Sequence, residues 1–160
     1  MINKITNKWI NTLKKVNDTF IVPDWERFRD SIDFTGYEFK FGNGTTFGNG
    51  TIFGNYTTFG NGTIFGNNTK FGDGTTFGRN IEWNKTITNH IYKLANIDGS
   101  GRQVLIAKCN KNELIRIEAG CFKGTSEEFI NRANHENKLM YVQLVGAFCD
   151  GLKQKKGGCK

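Results

Sequence analysis

The histidines are the first candidates for proton transfer in this 160-residue chain. The two histidines, His90 and His135, both lie outside the phenylalanine-rich middle of the sequence. Histidine is the most common general base, but it works only within hydrogen-bond reach of its substrate. No evident catalytic set accompanies either histidine in the sequence. We therefore expect both to be ordinary strand or surface residues, and we predict no catalytic residue.

The cysteines do not form a metal-binding pattern. None of the intervals between them is the short C-x-x-C spacing that zinc sites favour, so we predict reduced thiols, no metal and no cofactor. Cys121 precedes an expected helix start and is close to Lys123, a setting that can lower the pKa of a thiol. No base is evident nearby, and a half-buried turn residue is the preferred interpretation. The cysteines are Cys109, Cys121, Cys149 and Cys159.

The net charge of +7 is carried mainly by the second half of the chain. Residues 81–160 hold thirteen lysine and arginine residues against eight aspartate and glutamate residues, whereas residues 31–80 hold three of each. Interfaces draw most of their energy from a few side chains such as tyrosine and arginine, and a basic surface favours acidic partners. The predicted partner-binding residues are Arg102, Arg116, Lys123, Arg132, Tyr141, Lys153, Lys155 and Lys156. The last three belong to a basic tail, residues 151–160, which can contact phosphates or remain solvated.

The middle of the sequence is an array of six-residue blocks that begins FGNGTT FGNGTI FGNYTT. A six-residue period does not keep residues on one face of an α-helix, but it fits short strands in which alternate residues share a side. Glycine and asparagine tolerate positive φ and should form the corners between the strands. The predicted buried core consists of Phe41, Phe47, Phe53, Phe59, Phe65, Phe71 and Phe77.

This array resembles the left-handed β-helix of the hexapeptide-repeat family, whose blocks combine an aliphatic residue, a glycine and a small residue at fixed positions. Residues 41–82 carry the resemblance, with phenylalanine where the family usually has isoleucine, valine or leucine. The resemblance implies three blocks per coil, which places Phe59 between Phe41 and Phe77. It also implies little more than two coils, whose ends must be covered by flanking segments or by oligomer contacts in a dimer or trimer.

The segment before the array is expected to be a helical cap over residues 1–33. Pro23 can open one helix in PDWERFRDSI, and five apolar residues at helical spacing predict another before it. That earlier helix either packs on the base of the β-helix, which we place at residues 34–83, or is exposed to bind a partner. Its apolar residues are Ile2, Ile5, Trp9, Leu13 and Val16. Further candidate caps are Tyr37 and Phe39 below the array and Ile81 and Trp83 above it.

After the array the sequence predicts an α+β module over residues 84–150. Three strand-like stretches, ITNHIYKLANI, RQVLIAK and ELIRIEA, are separated by turn sequences. Thr125 and Glu128 form a capping box that starts a helix, and a second helix follows with Leu139 and Leu144 among its apolar positions. The predicted fold class is a β-solenoid plus α+β. It consists of a short left-handed β-helix flanked by N-terminal helices and a C-terminal three-stranded antiparallel meander with two helices.

The segment after these strands resembles one found in a group of small phage and prophage proteins. Those proteins join an F-G-x-x-small-x array to a GCFxGTxxEF segment and a helical pair. The matching residues here are Gly120, Cys121, Phe122, Gly124, Thr125, Glu128 and Phe129. The resemblance implies a mobile-element origin and a protein of the bacterial cytoplasm. No apolar run approaches the roughly 20 residues of a membrane span, so no membrane association is expected.

The expected function is that of a non-enzymatic binding protein that inhibits a host protein or protein–nucleic acid complex, such as a CRISPR-like defence system. Two alternatives stay open: a trimeric structural or assembly protein of a virion, and a protein that sequesters small nucleotides between protomers. The hexapeptide-repeat family also includes acyltransferases with a histidine base beside the coils, but residues 41–82 contain no histidine. Acyl transfer is therefore the least favoured activity.

Overall fold

The computed structural model describes residues 3–154. The chain divides into two compact units, with the boundary between His90 and Ile91. The first unit contains one short helix, α1 (Asn7–Ile10), and thirteen short strands. The strands are β1 (Asn3–Lys4), β2 (Lys14–Val16), β3 (Thr19–Val22), β4 (Arg27–Phe28), β5 (Ile32–Phe34), β6 (Glu38–Phe41), β7 (Thr46–Phe47), β8 (Ile52–Phe53), β9 (Thr58–Phe59), β10 (Ile64–Phe65), β11 (Thr76–Phe77), β12 (Ile81–Trp83) and β13 (Thr86–Thr88).

The first unit is a left-handed β-helix, as predicted, but it has about three turns instead of the little more than two that were expected. Its strands stack in parallel into three sheets, in the orders β1-β5-β8, β4-β7-β10-β12 and β3-β6-β9-β11. Phe59 pairs with Phe41 in one neighbouring strand and with Phe77 in the other, so the register advances by 18 residues per coil. Three six-residue blocks therefore make one coil.

The core of the β-helix is a column of phenylalanine rings. Rings 18 residues apart lie nearly parallel, with 5.5 Å between the centroids of Phe41 and Phe59 and 5.6 Å between those of Phe59 and Phe77. Rings six residues apart meet edge to face, as Phe53 and Phe59 do at 4.7 Å. Both arrangements are favourable for aromatic pairs. Six of the seven predicted core phenylalanines are buried, and Phe77, in the last coil, is partly buried.

Two further positions of each block are determined by close packing of the backbone. The glycine after each phenylalanine lies against the preceding coil: a Cβ added at Gly60 would stand 2.6 Å from the backbone nitrogen of Asn43. The buried threonine three residues later turns its hydroxyl back, so that Thr63 Oγ1 donates to the Gly60 carbonyl at 2.7 Å. A polar side chain is thereby buried without losing its hydrogen bond.

Side-chain hydrogen bonds join the corners from coil to coil. Asn43 Oδ1 accepts from the backbone N–H of Asn61 at 2.8 Å, and Asn61 Oδ1 accepts from that of Arg79 at 2.7 Å. Asp24 starts the same series, because its Oδ1 accepts from the Asn43 N–H at 2.7 Å. Each of these side chains satisfies a backbone donor at a corner, where the strand ladder is interrupted.

The prediction of a helix in PDWERFRDSI is wrong, because these residues form part of the first coil of the β-helix. Val22, Phe28 and Phe34 occupy the core position, and the rings of Phe28 and Phe34 stack on the phenylalanines 19 residues later. The coil lacks the Phe-Gly signature because no complete coil lies beneath it. The position after the core residue therefore does not have to be glycine, and Pro23 and Arg29 stand there instead.

The base of the β-helix is covered by α1, as the packing interpretation expected. The Trp9 ring lies 5.5 Å from that of Phe28 and 6.0 Å from that of Phe39, and both Ile10 and Phe39 are buried. Tyr37, the other candidate cap, is 40% exposed. The helix at the base is shorter than its apolar spacing predicted, and residues 14–22 form a β-hairpin instead.

The last coil of the β-helix is closed by a second hairpin. β12 pairs in parallel with β10, and β13 pairs antiparallel with β12. Ile81 and Trp83 are fully buried, as expected of caps. The His90 ring lies edge-on to that of Phe77, with 5.6 Å between centroids. Residues 84–88 thus complete the first unit, and the α+β module begins at Ile91.

The second unit is a four-stranded antiparallel meander with two helices packed on it. Its elements are β14 (Ile91–Ala95), β15 (Gln103–Lys108), β16 (Ile115–Ala119), β17 (Phe122–Thr125), α2 (Ser126–His135) and α3 (Leu139–Gln154). The fourth strand, β17, was not predicted, since it is short and contains Gly124. It pairs with β16 and ends at Thr125, which caps α2 through the predicted capping box. No helix among residues 3–154 is long and apolar enough to cross a membrane.

Replacing Phe59 with alanine should destabilise the protein by about 3–5 kcal/mol, because the resulting cavity would lie in the middle of the ring column. Thr58→Ala is the matched control: Thr58 precedes Phe59 on the same strand but faces outward, so its loss should cost less than about 1 kcal/mol. Chemical denaturation followed by circular dichroism measures both changes. Equal losses of unfolding free energy in the two variants would contradict the assignment of Phe59 to the core and of Thr58 to the surface.

Candidate functional site

A cavity of about 100 Å³ lies between the sheet and α2 in the second unit. We call it the end pocket. Its floor is apolar and is formed by Val104, Ala119, Phe122, Phe129 and Ala133. Its exposed rim is formed by Arg102, Cys121, Arg132, Glu136 and Lys138. The buried Tyr141 ring makes up one wall.

The end pocket lies where β15 begins and β16 ends, since Val104 and Ala119 are paired there. The turn that follows, with Gly120 at a φ of +60°, brings the chain back as β17 past the opening. On the other side, Phe129 and Ala133 stand four residues apart on α2 and therefore share one helix face. Three neighbouring strands and one helix thus fix the floor of the pocket.

The rim of the end pocket carries an excess of positive charge. Glu136 accepts from Arg132 Nε at 2.7 Å and from Lys138 Nζ at 2.6 Å, so two cations share one carboxylate. The hydrogen bonds from Lys138 and then from Arg132 lower the pKa of Glu136 to about 2. Glu136 therefore stays ionised at any physiological pH. Three cations, counting Arg102, minus one carboxylate leave the rim with a net charge of +2.

Tyr141 holds the turn that carries Arg102. Its hydroxyl lies 3.2 Å from Asp98 Oδ1 and 3.2 Å from Ser100 Oγ, both in the turn between β14 and β15. Hydrogen bonding, with Ser100 as the main contributor, lowers the pKa of Asp98, which therefore remains an ionised acceptor at neutral pH. Tyr141 thus acts as a positioning residue for this side of the rim.

Some of the predicted partner-binding residues come together and others do not. Those that meet at the end pocket are Arg102, Arg132 and Tyr141. Arg116 and Lys123 lie on the opposite face of the sheet, because they alternate with residues of β16 and β17 that pack toward the helices. Lys153 forms an ion pair with Asp150 at 3.2 Å and does not line the pocket. Lys155 and Lys156 lie outside the described residues.

Two residues of the rim, Glu136 and Lys138, were missed in the sequence. Arg132 and Glu136 have the i, i+4 spacing of a helical ion pair, so this contact could have been predicted from the sequence. Lys138 lies beyond the end of α2, and it follows a chain reversal at Asn137, where φ is +54°. Helical spacing could not have revealed its approach to Glu136.

The first turns of α3 expose an apolar ridge directly after Lys138. The ridge consists of Leu139, Met140 and Leu144, which are 63%, 51% and 51% exposed. The helix turns Tyr141, Val145 and Cys149 into the core instead. Large apolar side chains that stand together on a surface mark protein interaction sites more often than isolated ones do.

The two histidines lie in different units. The His90 ring packs edge to face with that of Phe77, and the resulting desolvation lowers the pKa of His90. Cys121 is exposed on the rim beside Arg132. Residues 3–154 contain no cluster of three or more histidine, cysteine, aspartate or glutamate side chains that could hold a metal ion.

The chain matches no protein-family model, no curated protein and no solved structure. Its function is therefore inferred from the end pocket and the surfaces around it.

Thiol labelling should distinguish the rim from the core of the second unit. Cys121 is exposed, whereas Cys149 is buried and desolvation raises the pKa of its thiol to about 11. Because the thiolate is the reactive form, iodoacetamide at neutral pH should modify Cys121 long before Cys149 in the folded protein. Peptide mapping by mass spectrometry reports both sites, and both should react in denaturant. Equal rates in the folded protein would contradict this placement of α3.

Proposed function

We propose that the protein is a non-enzymatic binding protein whose end pocket receives an aliphatic side chain of a partner protein, with a carboxylate of the partner on the rim. One observation carries the proposal: an apolar cavity is bordered by Arg102, Arg132 and Lys138, and Glu136 is the one carboxylate among the residues that line it. An apolar centre with a polar rim is the usual arrangement of a protein-binding surface. Arginine and tyrosine are also enriched among the residues that dominate binding energy.

The size of the cavity restricts the side chain that can enter. An apolar cavity of about 150 Å³ holds benzene, whereas the end pocket measures about 100 Å³. Leucine, isoleucine or valine therefore fits better than phenylalanine or tryptophan. Burial of one such side chain contributes roughly 1.5–3 kcal/mol. The apolar ridge after Lys138 extends the contact area beyond this single anchor.

The charge of the rim restricts the groups beside that anchor. Arginine can donate two parallel hydrogen bonds to a carboxylate, and these are stronger than bonds between neutral groups. A basic segment would meet a rim of like charge. A nucleic-acid phosphate would satisfy the cations but would leave the apolar floor empty. An acidic protein segment with an aliphatic side chain matches both parts of the site.

The resemblance of the sequence to phage proteins supports a partner from a bacterial host. On this proposal the protein acts in the host cytoplasm and inhibits a host protein or protein–nucleic acid complex, such as a CRISPR-like defence system. The six-residue period also supports assignment of the β-helix to the hexapeptide-repeat type. The β-helix then serves as a rigid platform, because its coils are held by stacked rings and by hydrogen bonds at every level.

Selection from a displayed random-peptide library, with the full-length protein as bait, tests the proposal. Enriched peptides should combine leucine, isoleucine or valine with a nearby aspartate or glutamate, and their affinity should fall as salt is raised. A protein carrying both Arg102→Glu and Arg132→Glu should not enrich them. Enrichment of basic sequences, or equal enrichment by the double variant, would refute the proposed site.

Single charge reversals should weaken the binding of a selected peptide by roughly tenfold or more at Arg102 and at Arg132, since a hydrogen bond to a charged group contributes about 1.5–3 kcal/mol. Lys153→Glu is the matched control, because it makes the same charge change on α3 outside the pocket. Its effect should stay below roughly threefold. Isothermal titration calorimetry gives the affinities, and thermal melts confirm folding. If the Lys153 variant lost as much affinity as the Arg102 variant, the peptide would be attracted by the overall positive charge of the protein and not by the end pocket.

A further inference from the structure

An open groove on the first unit has the chemistry of a second binding site. It lies at one corner of the β-helix, beside the hairpin of β2 and β3. We call it the tyrosine groove. Its main lining residues are Asp18, Phe20, Tyr37, Glu38, Asn55 and Tyr56. All of them belong to the first unit, so this groove is distinct from the end pocket.

The groove lies where the repeat is broken. The core residues Phe28 and Phe34 are six residues apart, but Phe34 and Phe41 are seven apart. Strands of the first coil therefore pair with partners 19 residues later, as Phe34 does with Phe53. The extra residue falls in the turn that contains Gly36, at a φ of +89°, and Tyr37. Insertions in repeat proteins map to loops on one face, which is often the binding face.

Tyr56 occupies a corner position at which Gly50, Gly62 and Gly74 stand in other blocks. Its φ is +57°, a conformation that strains a bulky residue. Its ring lies over the next coil, where a Cβ on Gly74 would stand 2.5 Å from Tyr56 Cδ1, and the residue is 63% exposed. A strained position that displays an aromatic ring to solvent is a reason to look for a function.

The polar groups of the groove are mainly acceptors. Asp18 is paired with Lys15 at 3.2 Å, and Glu38 accepts from Thr19 Oγ1 at 3.5 Å. Asn55 Oδ1 is occupied by the backbone N–H of the next coil, which leaves its Nδ2 group as a donor. A matching ligand must therefore bring several hydrogen-bond donors together with apolar faces for the tyrosine rings.

We propose that the tyrosine groove binds a neutral carbohydrate chain. Sugar rings present C–H faces that pack on Tyr37 and Tyr56, and their hydroxyls donate to Asp18 and Glu38 and accept from Asn55. The two tyrosines belong to successive coils, which stack roughly 4.8 Å apart, about the advance of one sugar unit along an extended chain. Proline-rich peptides also occupy aromatic grooves, but proline has no N–H and cannot supply donors to the two carboxylates.

Affinity electrophoresis of the full-length protein in gels that contain soluble β-glucan, xylan, galactomannan or dextran tests this proposal. At least one polysaccharide should retard the protein, and calorimetry with the matching oligosaccharide should give an affinity that salt does not change. Tyr37→Ala and Tyr56→Ala should each weaken binding at least roughly tenfold, in line with the energy of an aromatic contact. Tyr56→Gly should do the same without lowering the melting temperature, because glycine relieves the strain at positive φ.

Trp25→Ala is the matched control for the tyrosine substitutions. Trp25 is 74% exposed, has a φ of +65° and lies over Gly44, but it does not line the groove. Its loss should leave carbohydrate binding unchanged, and the tyrosine variants should still bind peptides selected for the end pocket. Absence of retardation by all four polysaccharides would overturn the proposal. Retained binding in Tyr37→Ala/Tyr56→Ala, or tighter binding of a proline-rich peptide than of any oligosaccharide, would also overturn it.

Discussion

The distance at which one coil can approach the next determines the structure of the β-helix. Parallel strands exchange hydrogen bonds only when their backbones are roughly 4.8 Å apart, and at the corners this brings backbone atoms into direct contact. Gly60 shows the consequence, since even a methyl group there would collide with the backbone below. The same spacing places the phenylalanine rings at 5.5 Å, a distance at which they stack. One coil spacing therefore accounts for both the glycine and the stacked ring in each block.

The sequence revealed the repeat because this constraint acts on every block that has a coil beneath it. The buried rings follow from the six-residue spacing of the phenylalanines, whereas the 18-residue register was implied by the resemblance to the hexapeptide-repeat family. The first coil escaped detection for the same physical reason. Nothing beneath it forbids a side chain after Val22 or Phe28, so Pro23 and Arg29 stand where later coils have glycine. Together with the charged residues around them, they made this segment resemble an amphipathic helix. To recognise the first coil, one must know that it lies at the end of the stack, and a local sequence pattern does not contain this information.

The end pocket could be predicted only in part. Arg102, Arg132 and Tyr141 were chosen by residue type, but their approach depends on how the sheet and the two helices pack, which no spacing in the sequence encodes. Lys138 depends on a single reversal of the chain at Asn137. The two proposed sites also differ in charge. The rim of the end pocket has a net charge of +2, whereas Lys15, Asp18 and Glu38 give the tyrosine groove a net charge of −1. They are therefore suited to different ligands.

The hydrogen bonds at the corners also control how fast the asparagines of the array deamidate. In a mobile chain, the backbone nitrogen that follows asparagine attacks the side-chain amide carbon and expels ammonia, most rapidly when glycine follows. Water then opens the resulting cyclic imide to aspartate or isoaspartate. The array contains three such pairs, at Asn43, Asn49 and Asn61. Here the nitrogens of the following glycines donate to carbonyls of the next coil at 2.7 or 2.8 Å, and the asparagine side chains are held as well. The reaction requires the hydrogen bonds of a corner to break. The rate of deamidation at each asparagine therefore measures how often that coil opens locally.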